Sequence, residues 1–410
     1  MIKIKALCIV FMFLLSYSVN AEEQVIVVKK GDTASLLEAI DQANKLNADP
    51  LSERIYILIP DGLYDLKATV LTTIKGYNIS LIGQSMYYTI IRNAPPIEME
   101  GINKTATILN TGSGLYMQDL TLQNDLNYYQ AGYAGRGVAF QDQGTRTICN
   151  HVRMMSYQDT YYTDNAVGQS YLYCSEIHGT VDFICGDGDA YFDLCSIVTE
   201  RRSSDGSGRD VIAAPRTSQT KWGYVFMNCD IYNRESDFQY ARGWRNTPRC
   251  VWLNTRLMTP EKLKEPRFEP KGMGTIQSYF KEYNTKNADG ENITPKSNVV
   301  TFTLKGEENA VETVMTKQEA KQYQLNNIFP DWKPRNIVFK LGEKAAKLWK
   351  QTLNGTASGT GYIRRNAIRT DWCVSRFAFR SWLEQQRRGI VGCWEMSYDR
   401  IRKSRCSIPW

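Results

Sequence analysis

The sequence of 410 residues predicts an all-β fold, and within that class it favours a solenoid, the parallel β-helix. Short runs rich in β-branched and aromatic residues recur from about residue 55, separated by Gly, Asn and Asp. No strong helical pattern interrupts these runs before about residue 255, which indicates a sandwich, a barrel or a solenoid. A repeat of apolar pairs favours the solenoid, although chance alternation in a β-sandwich would also produce it.

The repeat consists of pairs of residues with one position between them, each followed by a polar turn. The second members of successive pairs lie 32, 23, 20 and 34 residues apart. A spacing of 20 to 23 residues, with two longer steps that leave room for loops, fits one coil of a β-helix. The pairs are Leu120-x-Leu122, Val152-x-Met154, Ser175-x-Ile177, Cys195-x-Ile197 and Cys229-x-Ile231.

Helices are predicted only near the two ends of this repeat region. Apolar side chains at Leu36, Leu37, Ile40, Ala43 and Leu46 follow a three-four spacing and predict an N-terminal capping helix. A short C-terminal helix is predicted over residues 317 to 326, followed by a terminating turn at 330 to 334. These limits predict a β-helix domain over residues 22 to 340.

The two ends of the chain have a different composition. Residues 1 to 21 are typical of a signal peptide, with a basic start, an apolar run too short to span a membrane and a small-residue cleavage site. We therefore expect a secreted or periplasmic protein without a membrane segment. Residues 341 to 410 are treated as a separate segment of unknown role, because 361 to 410 hold one Lys, ten Arg and four of the nine Trp.

The overall composition excludes several kinds of site. The chain has two histidines, neither near a nucleophile-elbow motif, which argues against a Ser-His-Asp site. No CxxC pair has zinc spacing, so we expect no metal and no cofactor. The net charge of +7 favours solubility or weak attraction to an acidic polymer, and we expect no nucleic-acid partner. Most cysteines lie in apolar runs and are expected to be buried thiols, with some disulfide as the alternative.

Two aspartates are the candidate catalytic groups. Asp159 and Asp182 are 23 residues apart, which equals the local repeat from Met154 to Ile177. Residues one coil apart stack on adjacent strands at about 4.8 Å, so the carboxylates would be neighbours. Two carboxylates so close favour one protonated acid and one ionised nucleophile at the same pH. The alternative is that each Asp merely caps a turn.

The segments around these aspartates resemble motifs of the pectin methylesterase family. QDT at 158 to 160, GTVDFICG at 179 to 186 and the tetrapeptide from Ala241 to Trp244 are similar to the family's QDT, GTVDFIFG and GRPW, in the same order. The similarity extends from about residue 30 to 335. It implies a single-stranded right-handed parallel β-helix that hydrolyses methyl esters of homogalacturonan (pectin), acts as a monomer and releases pectate and methanol.

The resemblance also implies a role for each residue of the motifs. Asp182 would be the nucleophile that forms an acyl-enzyme, and Asp159 would protonate the departing methanol. Gln158 would donate to the oxyanion, and Arg242 would hold Asp182 ionised. Trp244 would stack on a sugar ring. Trp222 is a further candidate for sugar binding, although either Trp could instead be ordinary packing.

Three positions depart from the family pattern. Arg136 stands where the family has a second oxyanion glutamine, and Gln141 or Gln143 could substitute only if the register shifts. Leu66 replaces an acidic residue near the N-terminus. Gly243 replaces a proline, which should loosen the loop that carries Arg242.

The sequence leaves two other functions open. A β-helical pectin-binding protein with weak or no turnover would also explain the changes at Arg136 and Gly243. Another uronan-active β-helix enzyme, such as a lyase or a glycosidase, would also use paired carboxylates.

Overall fold

The computed structural model describes residues 24–132, 135–203, 208–271 and 279–356. The predicted signal peptide and residues 357 to 410 lie outside these ranges. The strands are β1 Val25–Val27, β2 Ile55–Ile59, β3 Gly62–Asp65, β4 Thr72–Ile74, β5 Ile79–Gly83, β6 Thr89–Asn93, β7 Ile108–Asn110, β8 Tyr116–Asn124, β9 Phe140–Asp142, β10 Thr147–Met155, β11 Tyr161–Thr163, β12 Gln169–Tyr173, β13 Glu176–Gly179, β14 Val181–Gly186, β15 Asp189–Asp193, β16 Ser196–Thr199, β17 Arg209–Pro215, β18 Tyr224–Met227, β19 Asp230–Asn233, β20 Asp237–Ala241, β21 Arg249–Leu253, β22 Arg256–Leu257, β23 Tyr279–Tyr283, β24 Val299–Leu304 and β25 Glu307–Glu312.

These strands form three long parallel sheets that wind around one core, so the predicted parallel β-helix is confirmed. Sheet I runs β1-β2-β5-β8-β10-β12-β15-β18-β21-β23. Sheet II runs β3-β6-β8-β10-β13-β16-β19-β22, and the long strands β8 and β10 belong to both sheets because they bend. Sheet III runs β4-β7-β9-β11-β14-β17-β20. The antiparallel hairpin β24-β25 forms a separate two-stranded sheet.

The apolar repeat of the sequence is the register of sheet II. Leu122 pairs with Met154, Met154 with Ile177, Ile177 with Ile197, and Ile197 with Ile231. All five side chains are buried in the core between the sheets. The repeat was visible because each coil must place an apolar residue at this inward position, whatever the length of its loops.

From β8 onward, each coil turns from sheet I into sheet II through one residue in the left-handed region of backbone space. The turn residues have φ between +47° and +58°, and they are Asp119, His151, Cys174, Leu194, Asn228, Asn254 and Asn284. Three of them form an amide ladder, in which the Asn254 side chain donates to Asn228 at 3.1 Å and Asn284 to Asn254 at 2.7 Å. Asn is among the residues that tolerate this conformation best.

Helices cover one end and one face of the β-helix. They are α1 Thr33–Leu46, α2 Tyr128–Ala131, α3 Lys317–Ala320, α4 Leu325–Ile328 and α5 Pro334–Thr356. Helix α1 confirms the predicted capping helix and begins at Asp32, whose side chain accepts a hydrogen bond from the Ser35 backbone. Among the described residues, no helix is both long enough and apolar enough to cross a membrane.

The C-terminal helices differ from the sequence prediction. The stretch from 317 to 326 forms two single turns, α3 and α4, instead of one helix. Pro334 does not end the structure but begins α5, as proline commonly does at a first helical position. Helix α5 runs through the boundary placed at residue 340.

Helix α5 packs against the outer face of sheet I, so residues 341 to 354 belong to the β-helix domain. Its buried residues Val338, Leu341, Ala345, Leu348 and Trp349 join an apolar cluster with strand residues of sheet I. The Trp349 indole donates to the Gly83 carbonyl at 2.9 Å. At its start, Arg335 pairs with Asp193. The three-four spacing of these apolar residues was the signal for this helix.

The described cysteines are free thiols. Cys149, Cys185, Cys195, Cys229 and Cys250 are buried, and Cys174 is partly exposed. This confirms buried thiols as the state of most cysteines in the described ranges.

One carboxyl group lies inside the β-helix on strand β17. Asp210 is fully buried, and neither of its carboxyl oxygens has a hydrogen-bond partner within the described residues. The pKa of Asp210 is raised to about 9, mainly by burial. The nearby Arg202 opposes this rise, and Glu200 adds to it. Asp210 is therefore protonated at neutral pH.

We expect Trp349→Ala to lower the free energy of unfolding by about 3 kcal/mol, because it removes a buried indole and its hydrogen bond. Urea denaturation measures this. Lys350→Ala, an exposed change on the same helix, should alter the free energy by less than about 0.5 kcal/mol. Equal stability of the two variants would show that α5 does not hold the fold.

We expect Asp210→Asn to stabilise the protein in a pH-dependent way. The folded pKa of about 9 exceeds that of an unfolded Asp, about 3.9, so unfolding releases a proton between these values. The contribution of Asp210 is therefore most favourable below pH ~4 and declines as the pH rises toward 9. The variant should gain up to about 4 kcal/mol at pH 7 and little at pH 4 in urea denaturation. With the exposed Asp289→Asn as control, an equal gain at both pH values would contradict the assignment.

Candidate active site

A cleft on the outer face of sheet III holds six of the seven predicted site residues. A cavity of about 180 Å³ is lined by Ile102, Arg136, Gln158, Asp159, Asp182, Cys185, Ala214, Arg242 and Trp244. A larger cavity of about 560 Å³ adjoins it, since Gln158 and Arg242 line both. The larger cavity is also lined by Val181, Arg202, Gly208, Arg209, Val211, Asp237, Gln239 and Glu269.

The register of sheet III places the two aspartates on neighbouring coils. Tyr161 pairs with Ile184, an offset of 23 residues that equals the separation of Asp159 and Asp182. The backbone N–H of Asp159 donates to the carbonyl of Val181 at 3.4 Å. The predicted stacking therefore holds, and both aspartates line the smaller cavity while remaining only 5% exposed.

Both aspartates have a left-handed backbone conformation. The φ angle is +59° at Asp159 and +50° at Asp182. Asp and Asn adopt this conformation more readily than most residues with a β-carbon, because their short polar side chains can bond locally. Each carboxyl group thus projects from a tight turn at the entrance to β11 or β14, and replacement by Asn keeps the turn intact.

The glycines of the GTVDFICG segment are required by close packing. A β-carbon at Gly179 would lie 2.2 Å from the Phe183 β-carbon and 2.6 Å from the Tyr157 carbonyl. A β-carbon at Gly186, where φ is +118°, would lie 1.8 Å from the Thr163 carbonyl. Only glycine lets this segment approach its neighbours so closely. The segment is therefore fixed at both ends around Asp182.

Arg242 makes a two-point ion pair with Asp182. Its Nε donates to Oδ1 at 2.9 Å and its Nη2 to Oδ2 at 2.5 Å. Such a bidentate contact fixes the orientation of a carboxylate and favours its ionised form. The backbone N–H groups of Arg242 and Trp244 bond to the carbonyls of Ala213 and Pro215, each at 2.9 Å. Strand β17 thus holds the backbone on both sides of Gly243 and fixes Arg242 in place.

The two carboxyl groups differ in acidity. Burial raises the pKa of Asp159 well above its usual value, and the charge of Asp182 raises it further, while Arg136 and Arg242 lower it. Burial also raises the pKa of Asp182, but the hydrogen bonds and charge of Arg242 oppose this shift. Asp182 therefore ionises before Asp159. Because burial raises both pKa values, neither carboxyl group keeps its normal acidity.

The family of the chain follows from comparison with known proteins. The family model described as Pectinesterase matches residues 24–323. The chain belongs to the pectinesterase family.

Relatives of this family member show how far the likeness extends. "Pectinesterase QRT1" of Arabidopsis thaliana is 30% identical over 288 residues, covering 65% of this chain and 70% of the relative. A "Pectinesterase/pectinesterase inhibitor" of Ficus pumila var. awkeotsang is 29% identical over 254 residues, covering 58% of this chain and 44% of the relative. The chain spans less than half the length of several such relatives. The solved structure of the pectin methylesterase PemA from Erwinia chrysanthemi has the same fold, with a TM-score of 0.57 at 23% identity, covering 76% and 98% of the two chains.

Arg136 lies beside Gln158 in the structure. Its backbone forms a parallel bridge with Gln158, so the two residues are neighbours on successive coils. Gln141 and Gln143 do not take over this position, because both side chains donate to Asp164, at 3.2 and 2.9 Å. The smaller cavity is therefore lined by one amide, that of Gln158, and by the guanidinium of Arg136 at the neighbouring position.

The structure separates the two tryptophans proposed for sugar binding. Trp244 lines the smaller cavity, and Arg216 lies over its ring at 4.9 Å. Trp222 is not brought to the cleft. It packs edge-on against Tyr323 at 5.4 Å, in the apolar cluster between sheet I and the C-terminal helices. Closeness in sequence could not show which face of the β-helix Trp222 occupies.

Two features of the site differ from the sequence interpretation. Gly243 does not leave its loop unanchored, because the residues on both sides of it bond to the neighbouring coil. Cys185 was not recognised as a site residue, yet it lines the smaller cavity. Burial raises the pKa of the Cys185 thiol well above its usual value, and the neighbouring Asp159 and Asp182 add to this, so the thiol stays neutral. The signal that could have identified Cys185 is its position in the GTVDFICG segment, where the family's GTVDFIFG has Phe.

We expect Asp182→Asn to lower the pKa of Asp159 by about 1 unit or more, because it removes a neighbouring negative charge. Carbon-13 NMR of labelled Asp carboxyls measures this pKa, with Asp159→Asn identifying the signal. Asp119→Asn makes the same change at another left-handed position (φ +53°) away from the cleft and should leave it unchanged. An unshifted Asp159 in the Asp182 variant would show that the two groups are not coupled.

Proposed function

We propose that the chain hydrolyses methyl esters of pectin to pectate and methanol through an acyl-enzyme on Asp182. The observation that carries this proposal is the pair of buried, stacked carboxyl groups of which only Asp182 is bound by an arginine. A carboxylate held ionised beside a carboxyl held protonated supplies a nucleophile and a general acid at one pH. Membership of the pectinesterase family supports this substrate and this bond type.

The first half of the reaction forms the acyl-enzyme. An ionised oxygen of Asp182 attacks the carbonyl carbon of the methyl ester, and the carbonyl oxygen becomes negative. The amide of Gln158 and the guanidinium of Arg136, both at the cavity, are the donors for this oxyanion. When the carbon–oxygen bond breaks, the leaving methoxide takes the proton of Asp159 and departs as methanol.

The second half hydrolyses the acyl-enzyme. Asp159, now ionised, accepts a proton from a water molecule, and the resulting hydroxide attacks the acyl carbon. The bond to Asp182 breaks, which returns the Asp182 carboxylate and leaves a galacturonate carboxyl group on the polymer. Arg242 keeps its contact with Asp182 throughout and stabilises the carboxylate as a leaving group.

The larger cavity extends the reaction site along the cleft, as a polymer substrate requires. It carries both signs of charge, because its lining includes Arg202, Arg209 and Arg242 as well as Asp237 and Glu269. Trp244 provides an aromatic surface for a sugar ring beside the aspartates. Access to a cell-wall polymer also requires export, for which residues 1 to 21 are the predicted signal.

We expect Asp182→Asn to lower the rate of methanol release at least about a thousandfold, because the amide is not a competent nucleophile. Asp159→Asn should lower it by about 10² to 10⁴-fold through loss of the acid. Both are measured by methanol release from methylated pectin, and Asp119→Asn, which shares the left-handed conformation, should keep full activity. Full activity in the Asp182 variant would overturn the assignment of the nucleophile.

The same preparation distinguishes the other two functions. Wild-type protein that binds methylated pectin but releases no methanol would indicate a binding protein without turnover. Growth of absorbance from unsaturated uronates would indicate a lyase, and a rise in reducing ends would indicate a glycosidase.

A further inference from the structure

Arg136 is fixed by a carboxylate that the family resemblance does not assign a role. Its Nε donates to Glu100 Oε2 at 2.9 Å, its Nη2 donates to Oε1 at 2.6 Å, and its backbone N–H lies 3.4 Å from Oε2. This is a bidentate contact with a third, longer bond to the same carboxylate. It fixes both the position and the plane of the guanidinium.

The segment that carries Glu100 is itself attached to Arg136. Glu100 follows a 3₁₀ turn over Ile97–Met99, and its N–H donates to the Ile97 carbonyl. The Arg136 carbonyl accepts from the Gly101 N–H at 3.4 Å and from the Thr105 hydroxyl at 3.1 Å. The segments that carry Glu100 and Arg136 are thus joined through backbone as well as side-chain contacts.

The contact leaves one side of the guanidinium for a ligand. Glu100 binds Nε and Nη2, and Nη1 carries two further N–H donors. Arg136 lines the smaller cavity beside Gln158, on the adjacent coil. An N–H group at this place can donate to the same developing oxyanion as the Gln158 amide.

Without Glu100, the charge of Arg136 would oppose the protonation of Asp159. A glutamine is neutral, whereas an arginine adds a positive charge that favours the ionised form of a nearby carboxyl. Asp159 must hold a proton to act as an acid. The carboxylate of Glu100 offsets the added charge while still letting the guanidinium donate.

We propose that Glu100 is a positioning residue for catalysis, and that the Glu100–Arg136 pair replaces a neutral oxyanion-binding amide with a charge-compensated one. Glu100 aims the Nη1 donors of Arg136 at the cavity, and its charge keeps Asp159 in its acid form. This inference rests on the proposed esterase function and adds the residue that makes Arg136 compatible with it.

The groups that face Asp159 come from several elements. They are Asp182 and Cys185 on β14, Arg242 after β20 and Arg136 before β9. Asp182 raises the pKa of Asp159, and Arg136 and Arg242 lower it. Glu100 acts on Asp159 through its contact with Arg136.

The experiment compares the alkaline limb of the pH profile of kcat in three variants. Glu100→Gln leaves Arg136 uncompensated, so the limb should move to lower pH by about 1 unit. Arg136→Gln leaves Glu100 uncompensated, so the limb should move to higher pH. The double variant is neutral and should return close to the wild-type limb. If the alkaline limbs of the two single variants shift in the same direction, or do not shift, the proposal is wrong.

A second measurement does not depend on turnover. The pKa of Asp159, read by carboxyl carbon-13 NMR without substrate, should follow the same opposite shifts and the same return in the double variant. Glu98→Gln, an exposed acid in the same turn, is the matched control and should move neither readout. If wild type releases no methanol, the esterase proposal fails, while the NMR shifts still decide whether Glu100 compensates Arg136. Thermal unfolding of each variant confirms that it is folded.

Discussion

Parallel backbone pairing between coils is the constraint on which the rest of the molecule depends. It holds adjacent strands about 4.8 Å apart, so side chains at equivalent positions of successive coils are neighbours. On the inside, this stacks apolar residues such as Met154 and Ile177 into a continuous core. On the outside of sheet III, the same pairing places Asp159 and Asp182 on neighbouring coils, where the charge of Asp182 raises the pKa of Asp159. The two groups respond by keeping a proton on Asp159, and the pairing of the strands does not have to change.

Most of the architecture and the centre of the site could be predicted because they depend on local spacing. The repeat that ends in Leu122, Met154 and Ile177 reports the coil directly, since the inward position recurs once per turn. The offset between Asp159 and Asp182 equals that coil, so stacking followed from arithmetic alone. Arg242 was assigned from resemblance, and the structure places its guanidinium in a two-point contact with Asp182.

What the sequence did not show depends on which face of the β-helix a residue occupies. Trp222 is near the cleft in sequence but lies on the outer side of sheet I, where the C-terminal helices cover it. Glu100 is 36 residues from Arg136, and no periodic pattern connects them. Helix α5 has a clear apolar spacing, yet the predicted domain boundary was placed at residue 340, inside the helix. The reason was the change in composition further along the chain. The burial of Asp182, which leaves it only 5% exposed, likewise could not be predicted from its neighbours in sequence.

The coils of this β-helix differ in length by more than half while their register stays the same. Steps of 32, 23, 20 and 34 residues separate successive inward positions that pair directly. The extra residues lie between the strands, outside the paired ladder. Insertions and deletions there can reshape the walls of the cleft without displacing Asp159 and Asp182. In this architecture the shape of a groove and the spacing of the groups within it can therefore change independently, because loops tolerate changes of length that paired strands do not.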